Sequence, residues 1–119
     1  MATDRVRETA PSYGARIDAA QRAFASDAQI AEALGVDRAQ VTRWRAGHTV
    51  PSPEVADRLV GLDAVIELLA THLEPDSIAR WLRGVNAHLD NRRPLDLLRQ
   101  GKLSTVIAAI EAMKSGSYA

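Results

Sequence analysis

Apolar residues recur along this chain at intervals of three and four, the period of an α-helix, and nowhere alternate as a half-buried strand would. The segment ARIDAAQRAFA (15–25) sets Ile17, Ala20 and Phe24 on one helical face. Ser26 stands three residues ahead of Gln29, a capping-box spacing that predicts a helix start. That helix carries Ile30, Ala31 and Leu34 and stops at Gly35, the residue suited to a left-handed helix end. Asp37 and Gln40 repeat the capping spacing, Val36 and Val41 flank it as a hydrophobic staple, and the helix opening at Arg38 ends at Gly47. Beyond the linker HTVPSP a long helix is predicted over 54–73, with Val55, Leu59, Leu62, Ile66, Leu69 and Leu73 in one stripe. Pro75 opens a helix whose inner face is Ile78, Trp81 and Leu82, and 84–93 reads as a loop. Pro94 starts a short helix with Leu95, Leu97 and Leu98, which Gly101 ends. Ser104 is the expected cap of the last helix, where Val106, Ile107, Ile110 and Met113 share a face before Gly116. The expected fold class is all-α: a disordered tail over 1–14, a helix-turn-helix unit over 15–53 and a small helical domain over 54–119.

Composition supports helices and removes several chemistries. Of 119 residues 46% are apolar but only 4% aromatic, a mixture rich in Ala and Leu that suits helix-on-helix packing. Fifteen basic and fifteen acidic residues cancel, so any contact with nucleic acid must rest on a local patch. The absence of cysteine excludes disulfides, thiolate catalysis and Cys-based zinc sites, and fits a reducing cytoplasm. No apolar run reaches the length of a membrane span, and MATDRVRETAPSYG lacks the apolar core of a signal peptide. The three histidines, His48, His72 and His88, lie in separate segments without a metal-ligand spacing. With no glycine-rich phosphate loop or serine elbow either, an enzyme, a cofactor and a metal are not expected.

Local charge appears in DAQIAEALGVDRAQVTRWRAG, two short helices joined at a glycine. With Val41 and Trp44 turned inward, Ala39, Thr42, Arg43 and Ala46 point outward, flanked by Arg38 and Gln40. This face is small in the middle and hydrogen-bonding at its margins, as a helix entering the major groove must be. Arg43 or Gln40 is the candidate for base edges, with Thr42 beside them on the DNA-binding face, and Arg38, Arg45 and His48 for phosphates; no acidic residue lies between Arg38 and His48. Over Ser26 to Pro51 the sequence resembles the Xre-type, phage-repressor-like helix-turn-helix family, including its Trp-x-x-Gly ending and following proline. It departs at Asp27, where many such proteins carry a glutamine that bonds a phosphate.

The second half holds WLRGVNAHLDNRRPLDLLRQG (81–101), whose polar loop groups Asn86, His88, Asp90, Asn91, Arg92 and Arg93 around Leu89. The order Trp81-Leu82, Asn86, Leu89, then Arg93-Pro94-Leu95-Asp96-Leu97-Leu98 and Gly101 resembles the C-terminal toxin-binding domain of Xre/MbcA/ParS-type antitoxins. That resemblance implies a non-enzymatic protein that covers the active-site entrance of a RES-domain toxin, an enzyme depleting NAD⁺. It also implies self-association into at least a homodimer and repression of its own operon at operator DNA. Inhibition by contact needs an apolar anchor with polar groups to hold register, for which Trp81, Asn86, Leu89, Arg92, Arg93 and the terminal Tyr118 are the candidates. Two other readings stay open from sequence: a stand-alone dimeric repressor whose second half only dimerises it, and a scaffold with an inactive helix-turn-helix.

Overall fold

Side-chain caps fix where several helices begin. In this computed structural model, which describes residues 13–116, Ser26 Oγ accepts the Gln29 N–H and Ser52 Oγ accepts the Val55 N–H, both at 3.3 Å. The elements in chain order are α1 (Tyr13–Ala20), α2 (Asp27–Leu34), α3 (Arg38–Arg45), α4 (Pro53–Ala70), α5 (Pro75–Arg83), a 3₁₀ turn (Ala87–Leu89), α6 (Pro94–Arg99) and α7 (Leu103–Lys114). The fold is all-α, as the apolar period indicates. Proline stands in the first turn of α4, α5 and α6, where its missing N–H costs nothing. At the other end of α2, Gly35 adopts φ +74°. This lets its N–H reach Glu32 O at 3.2 Å and the Val36 N–H reach Ala31 O at 3.0 Å, satisfying carbonyls the helix leaves open.

One core runs through both halves. α4 is its axis, in contact with α1, α2, α5, α6 and α7, and it buries Leu59, Leu62, Val65, Ile66 and Leu69. The core on the first side is Ile17, Phe24, Ile30, Leu34, Val41 and Trp44; on the other it is Ile78, Leu82, Leu89, Leu95, Leu97 and Ile110. Burial of each such side chain contributes roughly 1.5–3 kcal/mol before chain entropy is counted. Because α4 gives buried residues to both sides, the helix-turn-helix and the C-terminal helices are held by shared contacts.

Four local expectations shift. α1 opens at Tyr13, two residues earlier than read from sequence, and closes at Ala20. The chain must bend at 21–23 to return Phe24 to the core, where it is 1% exposed. α4 ends at Ala70, three residues short of the expected end; just past it the His72 N–H bonds Leu69 O at 2.9 Å in a tighter i→i−3 turn, and Thr71 Oγ1 donates to Leu68 O at 2.8 Å. Ser104 does not cap α7: the helix already begins at Leu103, which packs against the backbone of α4 at Gly61. The loop over 84–93 contains a helical turn and a bridge between Asn86 and Arg92.

Candidate nucleic-acid and partner-binding surfaces

The outward face of α3 is exposed at Arg38, Ala39, Thr42, Arg43 and Ala46. Val41 and Trp44, at 0% and 4% exposure, anchor the helix from behind. Arg38 and Arg43 have no ion pair among the described residues, so both cations stand ready for an anionic ligand. Thr42 Oγ1 donates to Arg38 O at 3.2 Å, and His48 is exposed just past the helix end.

Two residues expected to touch DNA are already committed elsewhere. Gln40 Oε1 accepts the Asp37 N–H at 3.3 Å, closing the capping box, so this side chain folds back on its own helix start. Arg45 is turned away from the open face and bridges Asp18 of α1 and Asp27 of α2. The hydrogen bond Arg45 donates to Asp27 is the main cause that holds the Arg45 guanidinium above its ordinary pKa. The same pair settles what Asp27 does in the free protein: its carboxylate faces an arginine. Between these groups lies a cleft of about 440 Å³, lined by Gln21, Ser26, Asp27, Arg38, Thr42 and Arg45.

The second surface is the loop after α5. Asn86 organises it: its Oδ1 accepts the His88 N–H at 2.9 Å, its N–H donates to Arg92 O at 3.1 Å, and its carbonyl accepts the Asn91 N–H at 2.9 Å. Asp90 and Asn91 both take positive φ, 56° and 60°, and the Arg92 N–H closes onto Leu89 O at 3.2 Å, a tight turn of the type these two residues tolerate. The turn drives Leu89 inward. At 1% exposure Leu89 belongs to the core, packed against α7, and its expected place on the contact surface passes to its neighbours. Val85, 70% exposed, is an apolar group on the loop that sequence reasoning passed over. Trp81 is half-buried with one side against the core, Arg92 is exposed, and Tyr118 lies outside the described residues.

Arg93 is exposed at one edge only. Its Nε and Nη2 donate to the two oxygens of Asp96 at 3.1 and 2.9 Å, a bidentate pair within α6's first turn. Arg93 lowers the Asp96 carboxyl pKa by this hydrogen bond, and Asp96 raises that of the guanidinium by the same contact. Asp96 is therefore the organising anion of this edge. Among the described residues no helix is long and apolar enough to cross a membrane, and no group of His, Asp or Glu could hold a metal ion.

Comparison with known proteins covers both surfaces. Residues 70–116 match the antitoxin Xre/MbcA/ParS C-terminal toxin-binding domain, and residues 26–62 match a helix-turn-helix family. The mycobacterial cidal antitoxin MbcA of Mycobacterium tuberculosis is 33% identical over 90 residues, covering 76% of this chain and 80% of its own. A probable mycobacterial cidal antitoxin of the same organism is 32% identical over 102 residues, covering 86% of this chain and 87% of its own. A chain in the crystal structure of the M. tuberculosis MbcT–MbcA toxin–antitoxin complex superposes with a TM-score of 0.78 at 29% identity. The match spans 92% of this chain and 100% of the other.

Proposed function

Because the chain belongs to the Xre/MbcA/ParS antitoxin family, we propose that it binds and blocks a RES-domain toxin that depletes NAD⁺, and represses its own operon through α3. One observation carries this reading. An open recognition face and a toxin-binding-type half are built around one helix, α4, along nearly the full length of a chain solved in a toxin–antitoxin complex. The chemistry of the toxin follows from the sequence resemblance, and catalysis belongs to that partner.

On the partner side, Val85 and the open side of Trp81 supply apolar area, Arg92 supplies an exposed cation tied through Nε to Leu89 O, and Arg93 one held by Asp96. Asn86 acts through the loop it ties together, and Tyr118 with the residues around it serves as the obstruction at the toxin's entrance. On the DNA side, Arg43 and Thr42 read base edges while Arg38 and His48 hold phosphates. Self-association into at least a homodimer places two α3 helices about 34 Å apart on successive major grooves. The protein works in the cytoplasm, where both toxin and operon are.

Co-expression with the adjacent reading frame tests this reading. Growth arrest by that neighbour alone, relieved by this chain and still relieved by Arg43→Ala, is the expected result. Relief lost with Arg43→Ala in a folded protein would contradict separable surfaces. No arrest or no relief would leave the stand-alone repressor, which needs α3 only.

A further inference from the structure

Three arginines from the second half converge on the last turn of α2. Arg58 of α4 donates to Leu34 O at 3.1 Å, Arg99 of α6 donates through Nη2 to Glu32 O, and Arg83 of α5 lies 3.6 Å from the Glu32 carboxylate. Carbonyls in a final helical turn lack intrahelical donors and carry the negative end of the helix dipole, so guanidinium groups bind well there. This turn leads through Gly35 and Asp37 directly into α3, so whatever holds it also sets the pose of the recognition helix.

Arg99 has a second claim on it. Its Nη1 lies 3.7 Å from Asp96 Oδ1, the oxygen that accepts Arg93 Nη2 at 2.9 Å. The Asp96 carboxylate is thus shared between Arg93, on the partner-binding edge, and Arg99, on the clasp over α2. Its bidentate hold on Arg93 leaves Arg99 free to reach Glu32.

We propose that Arg93, Asp96 and Arg99 form a relay by which a carboxylate-bearing partner engaging Arg93 loosens the clasp on α2 and so weakens DNA binding at α3. A partner that takes Arg93 returns the full Asp96 carboxylate to Arg99, and Arg99 swings off Glu32 O. Binding free energies are reciprocal, so operator DNA weakens the partner by the same factor. Arg99 is a positioning residue that touches neither ligand. The relay rests on the proposed function only for the identity of what occupies Arg93 and α3; the coupling itself is a property of this chain.

Hydrogen exchange on the full chain alone therefore tests it, with Arg93→Ala standing in for an Arg93 withdrawn by a partner. The reporters are the Gly35 and Val36 amides, whose bonds to Glu32 O and Ala31 O make the turn. Ile110 of α7 is the reference and Arg92→Ala the control. Arg93→Ala and Arg99→Ala should each speed exchange at Gly35 and Val36 roughly five- to tenfold. Ile110 should stay unchanged, and the double variant should match Arg99→Ala alone. Unchanged Gly35 and Val36, a multiplicative double variant, a rise that includes Ile110, or an equal effect of Arg92→Ala would each overturn the relay. None of these outcomes bears on whether a toxin is neutralised, so the two readings fail separately.

Discussion

Asp63 of α4 lies 3.7 Å from Arg16 of α1, with Oδ1 enclosed and without a hydrogen-bond partner. Burial pushes its carboxyl up to about 6 from an ordinary 3.8, against the opposing pull of Arg16 and Arg22. The native state therefore binds this proton more tightly than the unfolded chain does. Stability is full below the ordinary value, falls as pH rises toward the raised one, and stays lower beyond it. The loss is about 3 kcal/mol, read as a decline in urea midpoint from acid to neutral pH. Asp63→Asn should flatten that decline; an unaltered pH profile would show the carboxyl to be solvated. Leu89 makes a second case at this scale. Removing its buried side chain as Leu89→Ala should cost about 2–5 kcal/mol in the unliganded protein, whereas a stability loss near zero would return it to the surface where sequence reasoning put it. Its single apolar side chain among polar neighbours has no periodicity to declare a direction. The signal available was the adjacent Asp90-Asn91 pair, both tolerant of positive φ.

At the level of helices, the caps and glycine stops were legible, Ser104 excepted, because they depend on residues within four positions of one another. The Ser26, Asp37 and Gly35 signals all mark real helix ends. What the short range hides is competition for the same side chain. Gln40 satisfies a cap and Arg45 satisfies two acids, one of them 27 residues away in sequence, so neither presents itself on α3 as the pattern alone suggests. This division has a measurable consequence. With an operator duplex, Arg38→Ala should lower the slope of log affinity against log salt by about 0.9, the loss of one phosphate contact. Arg45→Ala should leave that slope nearly unchanged and instead cost about 1 kcal/mol of thermal stability, since it breaks the tie between α1, α2 and α3. A slope that drops equally for both would place Arg45 on a phosphate. Gly35→Ala should cost about 1–2 kcal/mol through its left-handed backbone alone, because the added Cβ meets Arg58 and Arg99 only at 3.6 and 3.8 Å, ordinary contact distances. A melting temperature equal to that of the parent would show that the turn can relax.

Across the whole molecule, the order of the two halves and the all-α class were readable from sequence, since apolar period and motif order survive without coordinates. The way the halves are joined was not. The clasp on α2 links residues 24 and 67 positions apart, and arginines on sequence grounds are simply solvated cations. The shared axis α4 likewise shows one stripe in the sequence but serves two sets of helices in the fold. These joints place the helix-turn-helix face proposed to read DNA and the loop proposed to bind the partner on one body, and that arrangement is the core of the antitoxin account. Its most direct test is intracellular NAD⁺ after induction of the adjacent reading frame, with and without this chain. The account expects NAD⁺ to collapse with the neighbour alone and to be held by the chain or its Arg43→Ala variant, and to fall again with Val85→Asp combined with Arg92→Ala. NAD⁺ that collapses equally in the presence of the folded chain would contradict it.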